Sequence, residues 1–234
     1  MCCQSAIIVS NEMGEKRTYH LKRRAERLAE TRRRITEVTI ELHRTVGPAA
    51  TQIKEVARRA GVERMTVYNH FPDEASLLAA CSAHWRALHP TPDLSAWRAI
   101  ADPGARLRLG LGQLYGWYRE TEPMTANVLR DAQIVPALRP IIEGGLLRYL
   151  DQARQVLTEP FGLRGRRRER VDAAARAAVD FHLWRALAPL GDTDAAELAA
   201  GLVQQAARPP SDVRRTSRSN DRQGRDASVS GPRH

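Results

Sequence analysis

Apolar residues recur at helical spacing along most of the chain, and no stretch alternates with the period of two that a half-buried strand requires. Ile35, Val38, Leu42 and Val46 mark one face of a first helix, which Gly47-Pro48 ends in the expected order of glycine and then proline. Thr51 is placed to cap a second helix carrying Ile53, Val56, Ala57 and Ala60, an i, i+3, i+4, i+7 set. Gly61 supplies a turn, and a third, short helix follows over 63–69. Phe71-Pro72-Asp73 then interrupts the chain, and Asp73 caps a longer helix with Leu77, Leu78, Cys81, Trp85 and Leu88 that stops near Pro90-Thr91-Pro92.

Beyond Pro92 the breakers thin out. Leu107, Leu111, Leu114 and Tyr118 form one helical stripe, and a second covers about 124–131. A long helix is expected over 137–157, with Leu146, Leu150, Ala153 and Leu157 on its face. After the basic turn Arg164-Gly165-Arg166-Arg167-Arg168, two more are expected over 170–187 and 195–206. The pattern predicts an all-α protein: a basic, partly disordered N-terminal arm over 1–29, a three-helix helix-turn-helix domain over 30–72, and a C-terminal helical domain over 73–207. A disordered basic tail over 208–234, with almost no apolar residues, completes it.

Composition sharpens this only in places. The chain is rich in Ala, Leu and Arg, which lose little on entering a helix, and only 5% aromatic. A formal charge of +10 over 234 residues points to a polyanionic partner without separating DNA from RNA or an anionic membrane. The three cysteines have neither disulfide-framework nor zinc spacing, and Cys81 reads as a buried structural thiol. No apolar run approaches the roughly 18–20 residues of a membrane span, so a cytoplasmic protein without membrane association is expected. No nucleophile with a base, paired carboxylates, phosphate loop or metal-spaced cluster is visible, so neither catalysis nor a cofactor or metal is expected.

The informative stretch is 51–71, where two short helices meet at a tight glycine turn, as a helix-turn-helix requires. Ala57 and Gly61 are small where the helices must approach, and Ile53, Val56, Val62 and Val67 can fix their crossing. The second helix is left with Arg64, Met65, Thr66, Tyr68, Asn69 and His70 for its outer surface. Arg64 suits a guanine edge and Asn69 an adenine edge, while Met65 and the Thr66 methyl suit thymine methyls. Tyr68 and His70 can reach phosphate oxygens, which set register rather than sequence choice.

The run Ile53…Val56-Ala57…Ala60-Gly61-Val62…Thr66-Val67-Tyr68-Asn69-His70-Phe71-Pro72, followed by Leu77-Leu78, resembles the TetR family of bacterial regulators over about residues 30–85. The resemblance implies a DNA-binding domain of three helices, a fourth helix linking it to a ligand-and-dimer domain, and Thr51 and Gln52 at the phosphate backbone. It also implies DNA contacts from Thr66, Tyr68 and His70. Three residues depart from the family pattern. Glu63 replaces the usual Ser or Thr cap, Glu74 stands where a basic residue often meets phosphate, and Met65 replaces a small residue.

Within the second domain, Trp117, Tyr118, Phe181, His182 and Trp184 are candidates for an effector pocket, against the blander reading of aromatic core. Asp131 and Glu143 are weaker polar candidates. Ala174, Ala178, Phe181, Leu187, Leu198 and Leu202 resemble the family's dimer-forming helices, with small residues allowing close approach. The basic stretch from Lys16 to Arg34 is either a solvated face or a phosphate-binding arm. The expected function is a homodimeric regulator, a repressor released from palindromic double-stranded DNA by a small-molecule effector. The rival reading is a non-specific basic nucleic-acid-binding protein.

Overall fold

The computed structural model describes residues 4–209, with side chains from Tyr19 onward, and contains helices and no strand among them. Helix α1 (Gln4–Thr45) leads into α2 (Ile53–Ala60), α3 (Arg64–His70) and α4 (Glu74–Leu88). A short α5 (Leu94–Arg98) precedes α6 (Pro103–Asp131), the long strut of the molecule. Next, α7 (Arg139–Ile142) passes through a π-helical turn, Glu143–Leu147, into α8 (Arg148–Thr158). The last described elements are α9 (Gly165–Ala178), α10 (Phe181–Leu187) and α11 (Asp192–Ala207).

Two main cores result. Ile35, Val56, Ala57, Val67, Phe71, Leu77 and Cys81 pack the small N-terminal unit. Trp97, Leu111, Tyr115, Leu157, Phe181 and Trp184 belong to the larger one, where α11 lies on α9 and α6. Met124 of α6 reaches the small core while its Leu107–Tyr118 stretch fills the large one, so a single helix belongs to both.

Several expectations are corrected. The arm is not a separate, partly disordered segment: α1 is continuous from Gln4. Good helix formers fill its exposed turns, and Glu30, Arg33 and Glu37 lock it by i, i+3 and i, i+4 ion pairs. Val46 is exposed, because the helix ends at Thr45 and Val46 lies in the closing turn, where its N–H and that of Gly47 both bond back to Leu42 O. Thr51 is not the cap of α2. Its hydroxyl donates to the Gly47 carbonyl, and Gln52 holds the cap position without a side-chain bond. The two stripes at 107–118 and 124–131 are one helix that runs through Pro123, since packing into both cores outweighs the proline. The helix expected over 170–187 is broken at Asp180, whose carboxylate caps α10 by accepting from His182 N and Leu183 N. The expected tail from 208 lies, beyond Pro209, outside the described residues.

Candidate nucleic-acid interface and internal cavity

The turn between α2 and α3 forms because Gly61 takes φ +63°, a left-handed conformation that costs glycine nothing, and Val62 N then bonds back to Ala57 O. Val56, Ala57 and Ala60 from α2 and Val67 from α3 are buried together, which fixes the crossing of the two helices. Glu63 caps α3 with backbone geometry alone, in line with its poor capping chemistry. The buried face of α3 thus belongs to Val67, and the rest of its surface is turned outward. Arg64, Met65, Tyr68 and Asn69 are exposed, while Thr66 and His70 are half-buried. A methionine at 65% exposure and a tyrosine at 42% are apolar surface with no partner in the monomer. Gln52 is exposed and Thr51 half-buried beside them. Six of the eight predicted reading residues therefore share one short helix, with Thr51 and Gln52 at the start of its neighbour.

The α3 surface is anchored from α1. Arg32 donates to the His70 carbonyl at the end of α3, and its guanidinium lies 4.1 Å over the Phe71 ring. On α4, Asp73 accepts from Ser76 N at 2.7 Å, while Glu74 stands exposed. An exposed carboxylate there offers a phosphate nothing.

A second feature connects this unit to α6. The Asp131 side chain, 1% exposed, accepts the Ala49 backbone N–H at 2.9 Å and pairs with Arg130. Asn127 donates to the carbonyls of His43 and Arg44, and Arg130 to that of Val46. The last turn of α6 therefore clasps the end of α1 and the loop leading into α2. Burial pushes the Asp131 carboxyl upward, but Arg130, the Ala49 N–H and His43 outweigh it and leave its pKa lowered. Burial brings His43 down to about 4, against a smaller upward pull from Asp131. Asp131 is thus a clasp rather than a pocket anchor.

Beside the clasp lies a cavity of about 320 Å³ between α1, α4, α6 and the α7–α8 segment. Ile40, Leu78, Trp85, Trp117, Val128 and Ile142 make most of its wall, with His43 and Arg86 among the polar atoms. Of the five residues expected to line a pocket, only Trp117 does so. Tyr118, Phe181 and Trp184 pack on one another with centroids 5.3–5.5 Å apart, and the Tyr118 hydroxyl donates to Val179 O at 2.6 Å. All three belong to the core; the Tyr118 hydroxyl is satisfied there, while the buried Trp184 indole nitrogen has no partner among the described residues. His182 is exposed and Glu143 is on the surface. The reading by residue type missed the cavity because its wall comes from stripes that look like ordinary core. The usable signal was the face Leu78, Cys81, Ser82, Trp85 at i, i+3, i+4, i+7, ending beside Arg86. Cys81 is buried, its thiol pushed up to about 12 by burial.

The proposed dimer residues divide. Ala178 and Phe181 point into the core, Ala174 and Leu187 are half-buried, and Leu198 and Leu202 stand out 48% and 50% exposed one turn apart on α11. No group of three or more His, Cys, Asp or Glu suited to a metal occurs among the described residues, and no helix there is long and apolar enough to cross a membrane.

Residues 35–81 match the family model described as bacterial regulatory proteins, tetR family. An HTH-type transcriptional regulator, SrpR, of Pseudomonas putida is 34% identical over 85 residues, 34% of this chain and 40% of that one. An uncharacterized HTH-type transcriptional regulator of the same species, TtgW, is 34% identical over 85 residues, 34% of this chain and 63% of that one. In both cases the match spans less than two thirds of the relative. Solved structures extend the likeness across the fold. A TetR transcription regulator from Haloarcula marismortui superposes with a TM-score of 0.50 at 18% identity, covering 76% of this chain and 97% of its own. The TetR family regulator PfmR from Thermus thermophilus gives 0.51 at 19%, covering 75% and 98%.

Proposed function

We propose, from a helix-turn-helix that belongs to the TetR family of bacterial regulatory proteins, that this chain is a transcriptional regulator reading duplex DNA with α3. The observation that carries the reading is the unpartnered outer surface of α3: Arg64, Met65, Tyr68 and Asn69 exposed on a helix whose inner face is held by Val67. Such a helix fits the major groove, with Arg64 and Asn69 on base edges, Met65 and Thr66 on thymine methyls, and Thr51, Gln52, Tyr68 and His70 toward phosphates.

The protein acts as a homodimer through α9 and α11, with exposed Leu198 and Leu202 of α11 supplying an unpaired apolar face. Two-fold symmetry then calls for a palindromic operator with half-sites about one helical turn apart. The cavity is the effector site and suits a small, largely apolar molecule, with Arg86 able to meet an acidic group. Its wall includes Met124, Thr125 and Val128, one turn before the residues of the α6 clasp. An effector that prefers a shifted α6 would loosen the clasp and release the operator, by no more than its differential affinity for the two states.

The test is selection of bound duplexes from a random pool at two salt concentrations. An enriched palindrome, lost with Arg64→Ala or Asn69→Ala in a folded protein, supports the regulator. Salt-sensitive binding with no enriched sequence sinks it and leaves a non-specific nucleic-acid-binding protein.

A further inference from the structure

Helix α1 is far longer than the small core requires. Its buried face begins at Ile35, yet from Tyr19 to Arg34 every side chain is exposed except the half-buried Thr31. Thirteen of those residues, 19–31, reach about 20 Å past the body at the usual helical rise. The place where the extension leaves the body is defined by Arg32, bonded to the last carbonyl of α3 and stacked on Phe71. It departs, therefore, from the rim of the surface that α3 presents.

Its chemistry is one-sided. Residues 19–34 carry seven Lys or Arg against two Glu. Arg33 is held by Glu30 and Glu37, and Arg32 by α3. Lys22, Arg23, Arg24, Arg27 and Arg34 form no ion pair among the described residues, and Arg23 only leans over the Tyr19 ring at 5.7 Å. Arg23, Arg27 and Arg34, at i, i+4 and i+11, share one face. A free-standing helix of this length is marginal in water, and five cations along it repel one another. A polyanion laid beside it would relieve both costs.

We infer that the α1 extension is a second DNA-contacting element, lying along the phosphates that flank the half-site read by α3 and lengthening the footprint beyond it. The inference rests on α3 being the reading helix. Charge complementarity and continuity with that surface favour duplex phosphate as the occupant. Leu21 and Leu28, 60% and 52% exposed seven residues apart, are the feature by which a second copy would instead compete for the helix.

The experiment compares the full chain with its K22Q/R23Q/R24Q/R27Q variant, on a short duplex limited to the selected site and on one with long flanks. Affinity is measured across a salt series, with far-UV circular dichroism to confirm folding. Each phosphate that is no longer neutralised lowers the salt slope by about 0.9 log units per log unit. With four cations removed, the variant is expected to lose a slope of up to about 3.6 per bound protomer on the long duplex and to keep its choice of palindrome. The unaltered protein is expected to lose a similar slope when the flanks are trimmed, a comparison that needs no variant to fold. Equal slopes for both proteins, and no effect of trimming, overturn the inference even if the palindrome is read normally. A loss of dimer rather than of slope, seen by sedimentation, also overturns it in favour of a helix pairing with its own copy. If no palindrome is enriched, the α3 reading fails, and the slope difference on any long duplex still decides whether the extension grips DNA.

Discussion

Replacing Asp131 separates the two things that the α6 clasp does. The carboxylate accepts the Ala49 N–H from a buried position, a charge-assisted bond worth about 1.5–3 kcal/mol. Its pair with Arg130 adds at most about 1 kcal/mol, because that guanidinium is 59% exposed. Asp131→Ala is therefore expected to lower unfolding free energy by roughly 2–3 kcal/mol. Asp131→Asn, which keeps an oxygen for Ala49, is expected to lose about 1 kcal/mol. Urea unfolding of the full chain, followed by far-UV circular dichroism, gives the cost, and amide exchange at Ala49 gives the location. Gly47 supplies an internal control. A Cβ there would overlap both Arg130 and Asp131, and its φ of +92° disfavours any side chain, so Gly47→Ala alone is costly. Removing the Asp131 carboxylate relieves part of that overlap, so the double variant is expected to cost less than the sum of the two. A loss below about 0.5 kcal/mol for Asp131→Ala, with Ala49 exchange unchanged, would refute the reasoning and leave Asn127 as the grip on α1.

The remaining predictions concern pH, packing and assembly. His43 is held near 4 when folded against an ordinary value of 6.5, so the unfolded chain takes up the proton first; its contribution is present above 6.5 and lost as pH falls toward 4. His43→Gln is expected to flatten that part of the stability–pH curve, whereas a wild-type curve already flat between those values would show that His43 is not buried neutral. In α6, a Cβ on Gly110 would sit 2.6 Å from Leu157 Cδ2 and 3.1 Å from the Trp97 ring, while one on Gly112 would meet nothing. Gly110→Ala is therefore expected to lose roughly 1–2 kcal/mol and Gly112→Ala to gain up to about 1 kcal/mol in thermal or urea unfolding, and equal effects would contradict the packing. The pair Leu198→Glu and Leu202→Glu is expected to leave the fold intact and yield monomers that bind the palindrome weakly; dimers persisting in sedimentation would move the interface elsewhere.

Local signals made the N-terminal unit legible in the sequence because each is decided within a few residues. Gly61 turns the chain where only a positive φ serves, Asp73 caps α4, and Val56 and Val67 are the apolar residues left after the polar ones are turned outward. Features set by contacts between distant segments were not legible. Pro123 reads as a breaker, and α6 passes through it because it has a core to fill on each side. Asp180 reads as one more polar residue in a helix, and only the corner between α9 and α10 makes it a cap. The pocket was misplaced for a similar reason: aromatic identity pointed to Tyr118, Phe181 and Trp184, yet those rings pack on one another, and the hollow lies between α1, α4, α6 and the α7–α8 segment.

The sequence by itself determined the helices, the turn and the residues that α3 can offer to DNA, since periodicity and capping are local chemistry written into neighbouring residues. Only the tertiary structure decided where the cavity lies, that Asp131 closes on Ala49 eighty-two residues away, and that the basic arm is a helix leaving the body beside α3. Those outcomes depend on which faces meet after the chain has folded, and no short window of sequence contains both partners.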